Sequence, residues 1–306
     1  MICLAVSGNL LIFATQNVMN METIYYKVAG HVFALNADVE GHRRELRQYE
    51  PFVTEPVEDT VFRLDLVESL PMNVFHEELR QEDEGQEIIA GHLESGEPYF
   101  EFWLGDKLCS ILVASLDYKQ GKILVKDNWQ FGVNNAIMVM YALATSNSLT
   151  ALFHSSVVSY QGRAYMFLGH SGTGKSTHSS LWLKHIEGTE LVNDDNPVVR
   201  IEGNEVRVYG SPWSGKTPCY RNVSYPVGAI VKLSQAPYNK IERLKGIKAY
   251  AAVMPSISGK RWDKHLAEGL HETENLLAQL TPIWHLDCLP DEAAARLSCK
   301  TCTNEP

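Results

Sequence analysis

The spacing of hydrophobic positions divides the chain into two parts. From Thr23 to about Val125, short runs rich in β-branched and aromatic residues (TIYYKVA, HVFALN, TVFRLDLV, YFEFWLG, CSILVASL and KILVKD) are separated by polar breaks. Runs of this length and make-up suit half-buried pleated strands, so this part is predicted to be strand-rich. Glu77 to Glu87 (EELRQEDEGQE) is almost wholly polar and acidic, which reads as a solvated loop without a function.

The pattern then changes. NAIMVMYALAT, Asn135 to Thr145, contains good helix formers and no breaker, predicting a largely buried helix that opens or bridges to the second half. After it come a predicted strand at Thr150 to Tyr160, a Gln161-Gly162 turn, a strand at Ala164 to Leu168, a helix from about Lys175 to Ile186 and a strand at Glu190 to Asn193. Further strands are expected at Pro197 to Ile201, Glu205 to Tyr209 and Val227 to Leu233. Gly203-Asn204 reads as a hairpin turn, because both residue types tolerate positive φ. The tail is predicted as a helix from Trp262 to Leu280, a strand IWHLDC and a final helix after Pro290, with Asp291 and Glu292 at its positive dipole end.

Composition narrows the function classes. The 306 residues are 45% hydrophobic and 21% charged, the make-up of a globular protein with a sizeable core. A net charge of -10 gives no global positive field for nucleic acid or an anionic membrane, so neither is an expected partner. Six scattered cysteines lack the density of a secreted disulfide framework and point to the cytoplasm. Cys299 and Cys302 form a C-x-x-C without a second pair to complete a zinc site, and read as part of a frayed tail. Met1 to Val18 is apolar, but no basic residue precedes Lys27, so residues 1–20 read as a doubtful or disordered leader from an early start rather than a signal peptide. The expected organisation is a strand-rich domain over 21–128 and a second domain over 129–306 that carries the chemistry.

That chemistry centres on Gly169-His170-Ser171-Gly172-Thr173-Gly174-Lys175-Ser176, a full G-x-x-x-x-G-K-[ST] between an apolar strand and a helix. Glycines let backbone amides converge on a polyphosphate, and the helix start adds its dipole. Lys175 can reach the β- and γ-phosphates, Ser176 can ligate Mg²⁺, and Thr177 completes the nucleotide-binding segment. Nineteen residues beyond Lys175, LVNDD ends an apolar strand in Asp194 and Asp195. Adjacent strand residues point to opposite faces, so both can serve one site only if the strand has already turned, as Asn196-Pro197 suggests. His154 lies fifteen residues before Gly169, and the turn-rich Gly210 to Thr217 carries Lys216, with Arg221 close behind.

FHSSVV, FLGHSGTGKST and LVNDDNPVV together resemble the nucleotide core shared by HPr kinase/phosphorylase and phosphoenolpyruvate carboxykinase, over about residues 150 to 300. YGSPWSGKT and TPIWHLDCLPDEAAARL further resemble a bacterial branch of HPr-kinase-like proteins. The resemblance implies an α+β fold, a P-loop kinase core joined to a strand-rich N-terminal domain. It implies ATP with Mg²⁺ or Mn²⁺, phosphate binding by Lys175, metal binding by Ser176 and Asp195, and Asp194 as the base. His154 would stand beside the transferring phosphate as a second metal's ligand or polarising the acceptor. Lys216 and Arg221 are added as weaker phosphate or substrate contacts. No E-x-R-G-x-G follows the Asp pair, so the resemblance does not extend to HPr as acceptor or to phosphorolysis.

The leading expectation is a kinase that phosphorylates a hydroxyl of a protein, peptide or small molecule, with homo-oligomerisation left open. The alternatives are a carboxykinase-like enzyme on a small carboxylated metabolite and a nucleotide-sensing module that transfers nothing.

Overall fold

The computed structural model describes residues 21–71, 75–215 and 217–303; the expected leader and Lys216 lie outside the described residues. It is a mixed α/β molecule of two large sheets and few helices.

The first sheet holds β1 (Met21–Val28), β2 (His31–Asp38), β3 (Val53–Thr54), β4 (Arg63–Leu66), β5 (Phe75–Asp83), β6 (Gln86–Leu93), β7 (Pro98–Leu104), β8 (Lys107–Ala114) and β9 (Gln120–Val125), in the order β3-β1-β2-β4-β9-β8-β7-β6-β5. The six hydrophobic runs fall on β1, β2, β4, β7, β8 and β9. The acidic segment corrects the sequence reading, because Glu77 to Glu87 is no loop. It is a hairpin of β5 and β6, turned at Glu84-Gly85 with φ of 50° and 79°. Every β5 residue after Phe75 is exposed, so no apolar alternation marks the strand. Its pairing with β6 is reinforced by Arg80, which bridges Glu77 and Glu87.

Helix α1 (Trp129–Ala144) begins six residues before its predicted start, where the Asn128 side chain accepts from the Phe131 N-H at 3.2 Å. Its buried residues Val133, Ala136, Ile137 and Met140 share a core with Phe33, Leu64, Leu112 and Ile123. The helix expected to open or bridge to the second half therefore packs on the first sheet.

The second sheet comprises β10 (Thr150–Leu152), β11 (Ser155–Tyr160), β12 (Arg163–Leu168), β13 (Glu190–Asp195), β14 (Val198–Glu202), β15 (Glu205–Tyr209), β16 (Ser224–Gln235), β17 (Lys240–Leu244) and β18 (Ile283–Cys288). Its path runs β10-β14-β15-β16-β12-β11-β13, with β18 between β16 and β17. Around it lie α2 (Lys175–His185), α3 (Ile247–Val253), α4 (Lys264–Leu280) and α5 (Glu292–Thr303). Strand β12 is covered on both faces, which explains its unbroken apolar AYMFL. Met166 and Leu168 join Leu270 and Leu277 of α4, while Tyr165 and Phe167 join Trp182 of α2 and Cys302 of α5. The C-x-x-C is thus not frayed: it lies on α5, and Cys302 is buried in that core.

Two more features position the site. The single strand expected at 150–160 is broken at Phe153-His154 into β10, paired with β14, and β11, paired with β12 and β13. The two halves also share a core. Trp213 is buried among first-sheet residues, and its indole N-H donates to the Tyr49 hydroxyl at 3.0 Å.

Candidate functional site

Between β12 and α2 the chain turns through the glycine loop, with Gly172 and Gly174 at φ of 78° and 106°. A side chain at either would be strained. A Cβ on Gly169 would lie 2.9 Å from the Thr173 side chain, so glycine there lets the loop close on itself. His170 and Ser171 are exposed at the crest, and Lys175 opens the helix.

Lys175 lies along the loop rather than in solvent. Its Nζ donates to the carbonyls of Gly169 and His170 at 3.0 and 3.4 Å, and to His154 Nε2 at 2.8 Å. An ammonium only donates, so Nε2 is the acceptor and Nδ1 carries the proton. That Nδ1 stands 3.0 Å from Asp195 Oδ1, which completes a chain from lysine through histidine to carboxylate. The break between β10 and β11 frees His154 for this position, and its backbone N-H donates to the Ser256 carbonyl at 2.7 Å.

Ser176 Oγ donates to Asp194 Oδ1 at 2.8 Å. The serine expected to share a metal with Asp195 is therefore paired with Asp194, and Asp195 is paired with His154. Both carboxylates reach one site because β13 is irregular. Its register against β11 shifts at Val157/Val158, and Asp195 has φ of 145°, the turned strand end that the sequence required. Residues 213–215 brace this bend. Gly215 N-H and Ser214 Oγ donate to the Asp194 carbonyl, and the buried Asn193 side chain donates to the Trp213 carbonyl. A Cβ on Gly215 would stand 3.1 Å from Asp195 Cβ, so only glycine packs there without displacement.

Burial pushes the Lys175 amine below its ordinary pKa, outweighing the opposing pull of Asp195, Asp194, Asp83 and Glu84. The last two belong to the β5–β6 turn, where Glu84 Oε1 also accepts from Ser171 Oγ at 3.4 Å. Sequence reasoning missed this turn as a site component. A polyphosphate entering a field of four carboxylates and one lysine needs further positive charge. The Ser176 hydroxyl and Asp194 carboxylate are hard oxygen donors, so they fit a magnesium ion that takes its remaining ligands from phosphate and water. Among the described residues there is no group of three or more His, Cys, Asp or Glu that could hold a metal by itself.

Beside the loop opens a cleft of about 620 Å³ that the sequence did not reveal. It is bounded by Thr177 and Leu181 of α2, by Leu233 and Pro237 at the end of β16, and by Leu289 and Pro290 after β18. Gln235 ties its rim to the loop, donating to the Gly172 carbonyl at 3.1 Å. Its lining mixes apolar side chains with Thr173, Thr177, His178 and Gln235, a combination found in small-molecule sites.

Other sequence candidates lie elsewhere. The Arg221 guanidinium binds the Leu191 carbonyl and Glu190 at 2.6 and 2.8 Å. Leu191 stands about 10 Å along β13 from Asp194, and Arg221 anchors the strand there. His178 is structural. Its Nε2 meets Ser298 Oγ, which also accepts from the Trp182 indole and donates to the Ala295 carbonyl, so α2 is fastened to α5.

No family model matches the chain, and no curated protein does. Among solved structures, the HPr(Ser) kinase/phosphatase from Coxiella burnetii is similar over 50% of this chain and 99% of its own, with 13% identity and a TM-score of 0.30. That likeness is distant and leaves the chemistry to be read from the residues themselves. Among the described residues no helix is long and apolar enough to cross a membrane.

Proposed function

We propose that the protein is a phosphotransferase that moves the γ-phosphoryl group of ATP to a hydroxyl. One observation carries the reading: Lys175, Ser176, His154, Asp194 and Asp195 converge at the mouth of the glycine loop in two hydrogen-bonded sets. A loop that only bound nucleotide would have no need of the second set.

The loop amides and the α2 dipole cradle the phosphates, and the adjoining apolar cleft takes the base. Ser176 and Asp194 would hold Mg²⁺, which when bound offsets phosphate charge. Lys175 exchanges its carbonyl and imidazole partners for phosphate oxygens, and that movement uncovers His154 Nε2. With its Nδ1-H held by Asp195, the imidazole is oriented to accept the proton of an attacking hydroxyl, and the carboxylate stabilises the cation that forms. The base is thus assigned to the His154–Asp195 pair and the metal to Ser176 with Asp194, an exchange of the two aspartates relative to the resemblance.

The test is incubation with γ-labelled ATP and Mg²⁺ across free serine, serine peptides and cell lysate. Label on a hydroxyl acceptor, lost in Lys175→Ala, is the expected result. ATP binding without transfer to any acceptor, unchanged by His154→Gln, would leave a nucleotide sensor instead.

A further inference from the structure

Strand β5 is the terminal strand of the first sheet, nine residues long and exposed along all but its first residue. Among the described residues no strand lies beyond it, so the edge carries a row of backbone donors and acceptors, and proteins usually shorten or cover edges of this kind. Here the edge is held in place at two points. Near its start, Glu78 accepts from Lys260 at 2.9 Å and from the Trp262 indole at 2.7 Å. Burial raises the Glu78 pKa, but these bonds outweigh it and hold the carboxyl below its ordinary range. Lys260 and Trp262 follow Ser256, whose carbonyl holds the His154 backbone. At its far end the turn reaches the glycine loop through Glu84 and Ser171. The strand therefore runs from beside the loop that supports His154 to the phosphate-binding crest.

Its own charges are one-sided, with Glu77, Glu78, Glu82 and Asp83 against Arg80, while Lys260 meets Glu78 from outside the strand. Two copies of this edge would set like charges opposite each other, which disfavours pairing between chains. A strand carrying Lys or Arg would meet the opposite sign at the same positions.

We infer that β5 is a docking strand for the acceptor, an extended basic peptide that adds to the sheet edge and delivers a Ser or Thr hydroxyl to the loop mouth. Backbone pairing supplies register, the carboxylates select charge, and half-exposed Trp262 flanks the entry. The inference rests on the phosphotransferase reading for the fate of the peptide, though not for its binding.

The test uses the full chain and a fluorescent ten-residue peptide with Lys or Arg at alternate positions and one central Ser, read by anisotropy. Saturable binding is expected, weakened about tenfold by the double charge reversal Glu77→Lys/Glu82→Lys. N-methylation of alternate peptide amides should weaken it at least as much, and an all-acidic counterpart should not bind. Glu77 and Glu82 are exposed, and an unchanged melting temperature will show that the variant folds. No binding, or binding indifferent to N-methylation, would overturn the docking strand. So would a dimer of the chain, seen by light scattering, that the double variant dissociates. Binding without phosphorylation by Mg-ATP would support the docking strand while overturning the phosphotransferase reading; labelling of other acceptors with no peptide binding would do the reverse.

Discussion

On one flank of the glycine loop lies an apolar cleft closed by α2, β16 and the turn after β18; on the other stand His154, Lys175 and carboxylates from positions as far apart as Asp83 and Asp195. The first flank works by shape. Its walls belong to elements fastened by buried contacts, such as Ser298 between His178 and Trp182. The second is built of charges and hydrogen bonds, which under the proposed function exchange when phosphate enters. The difference separates affinity from turnover: changes in the cleft should act on nucleotide binding, and changes on the polar flank should act on transfer.

Lys175 sits on the seam and should give the largest effect. Lys175→Ala is expected to lower phosphoryl transfer by about 10³-fold or more, measured as label incorporated from ATP, because it removes the cation that meets both phosphate and His154. Next is the polar flank alone. His154→Gln should cut kcat by about 10²- to 10³-fold while the nucleotide Kd changes less than about threefold, and Asp195→Asn should follow it. A parallel loss of nucleotide affinity would erase the distinction between the flanks. On the apolar flank, Leu181→Arg should raise the Kd for ATP by about tenfold or more and leave tripolyphosphate binding unchanged, because only the base meets that wall.

Stability offers a smaller test. Burial lowers the His178 pKa from 6.5 to about 4. Below pH 6.5 the unfolded chain takes up a proton that the folded one refuses, so stability falls between pH 6.5 and about 4, by about 3 kcal/mol once that window is crossed. Urea titrations across this range should show the loss, and His178→Gln should flatten it. The smallest effect belongs to the brace between the halves. Trp213→Phe loses the indole's second ring and its bond to Tyr49, which together should cost about 2 kcal/mol.

The two flanks also differ in how far the sequence disclosed them. The glycine loop was legible because each of its residues answers a local need: positive φ at Gly172 and Gly174, a cation at Lys175 and a hydroxyl at Ser176. The Asp pair was legible as a pair. Which aspartate met Ser176 was not, since that depended on a register shift in β13 and the backbone bend at Asp195. The apolar cleft escaped notice because Leu181, Leu233 and Leu289 are ordinary hydrophobic residues until tertiary folding gathers them. β5 escaped for the opposite reason. A strand with solvent on both faces has no period of two to read, and its acidity suggested a loop. The place of Arg221 was not legible either, because a cation near a phosphate motif is equally suited to bracing a strand.

The central claim is that the mouth of the glycine loop receives a magnesium-bound nucleotide triphosphate. Calorimetric titration of the intact protein with ATP, with and without Mg²⁺, tests it most directly. The account predicts one saturable site per chain whose affinity drops at least about tenfold when the metal is withheld. An absence of binding heat under both conditions would contradict it.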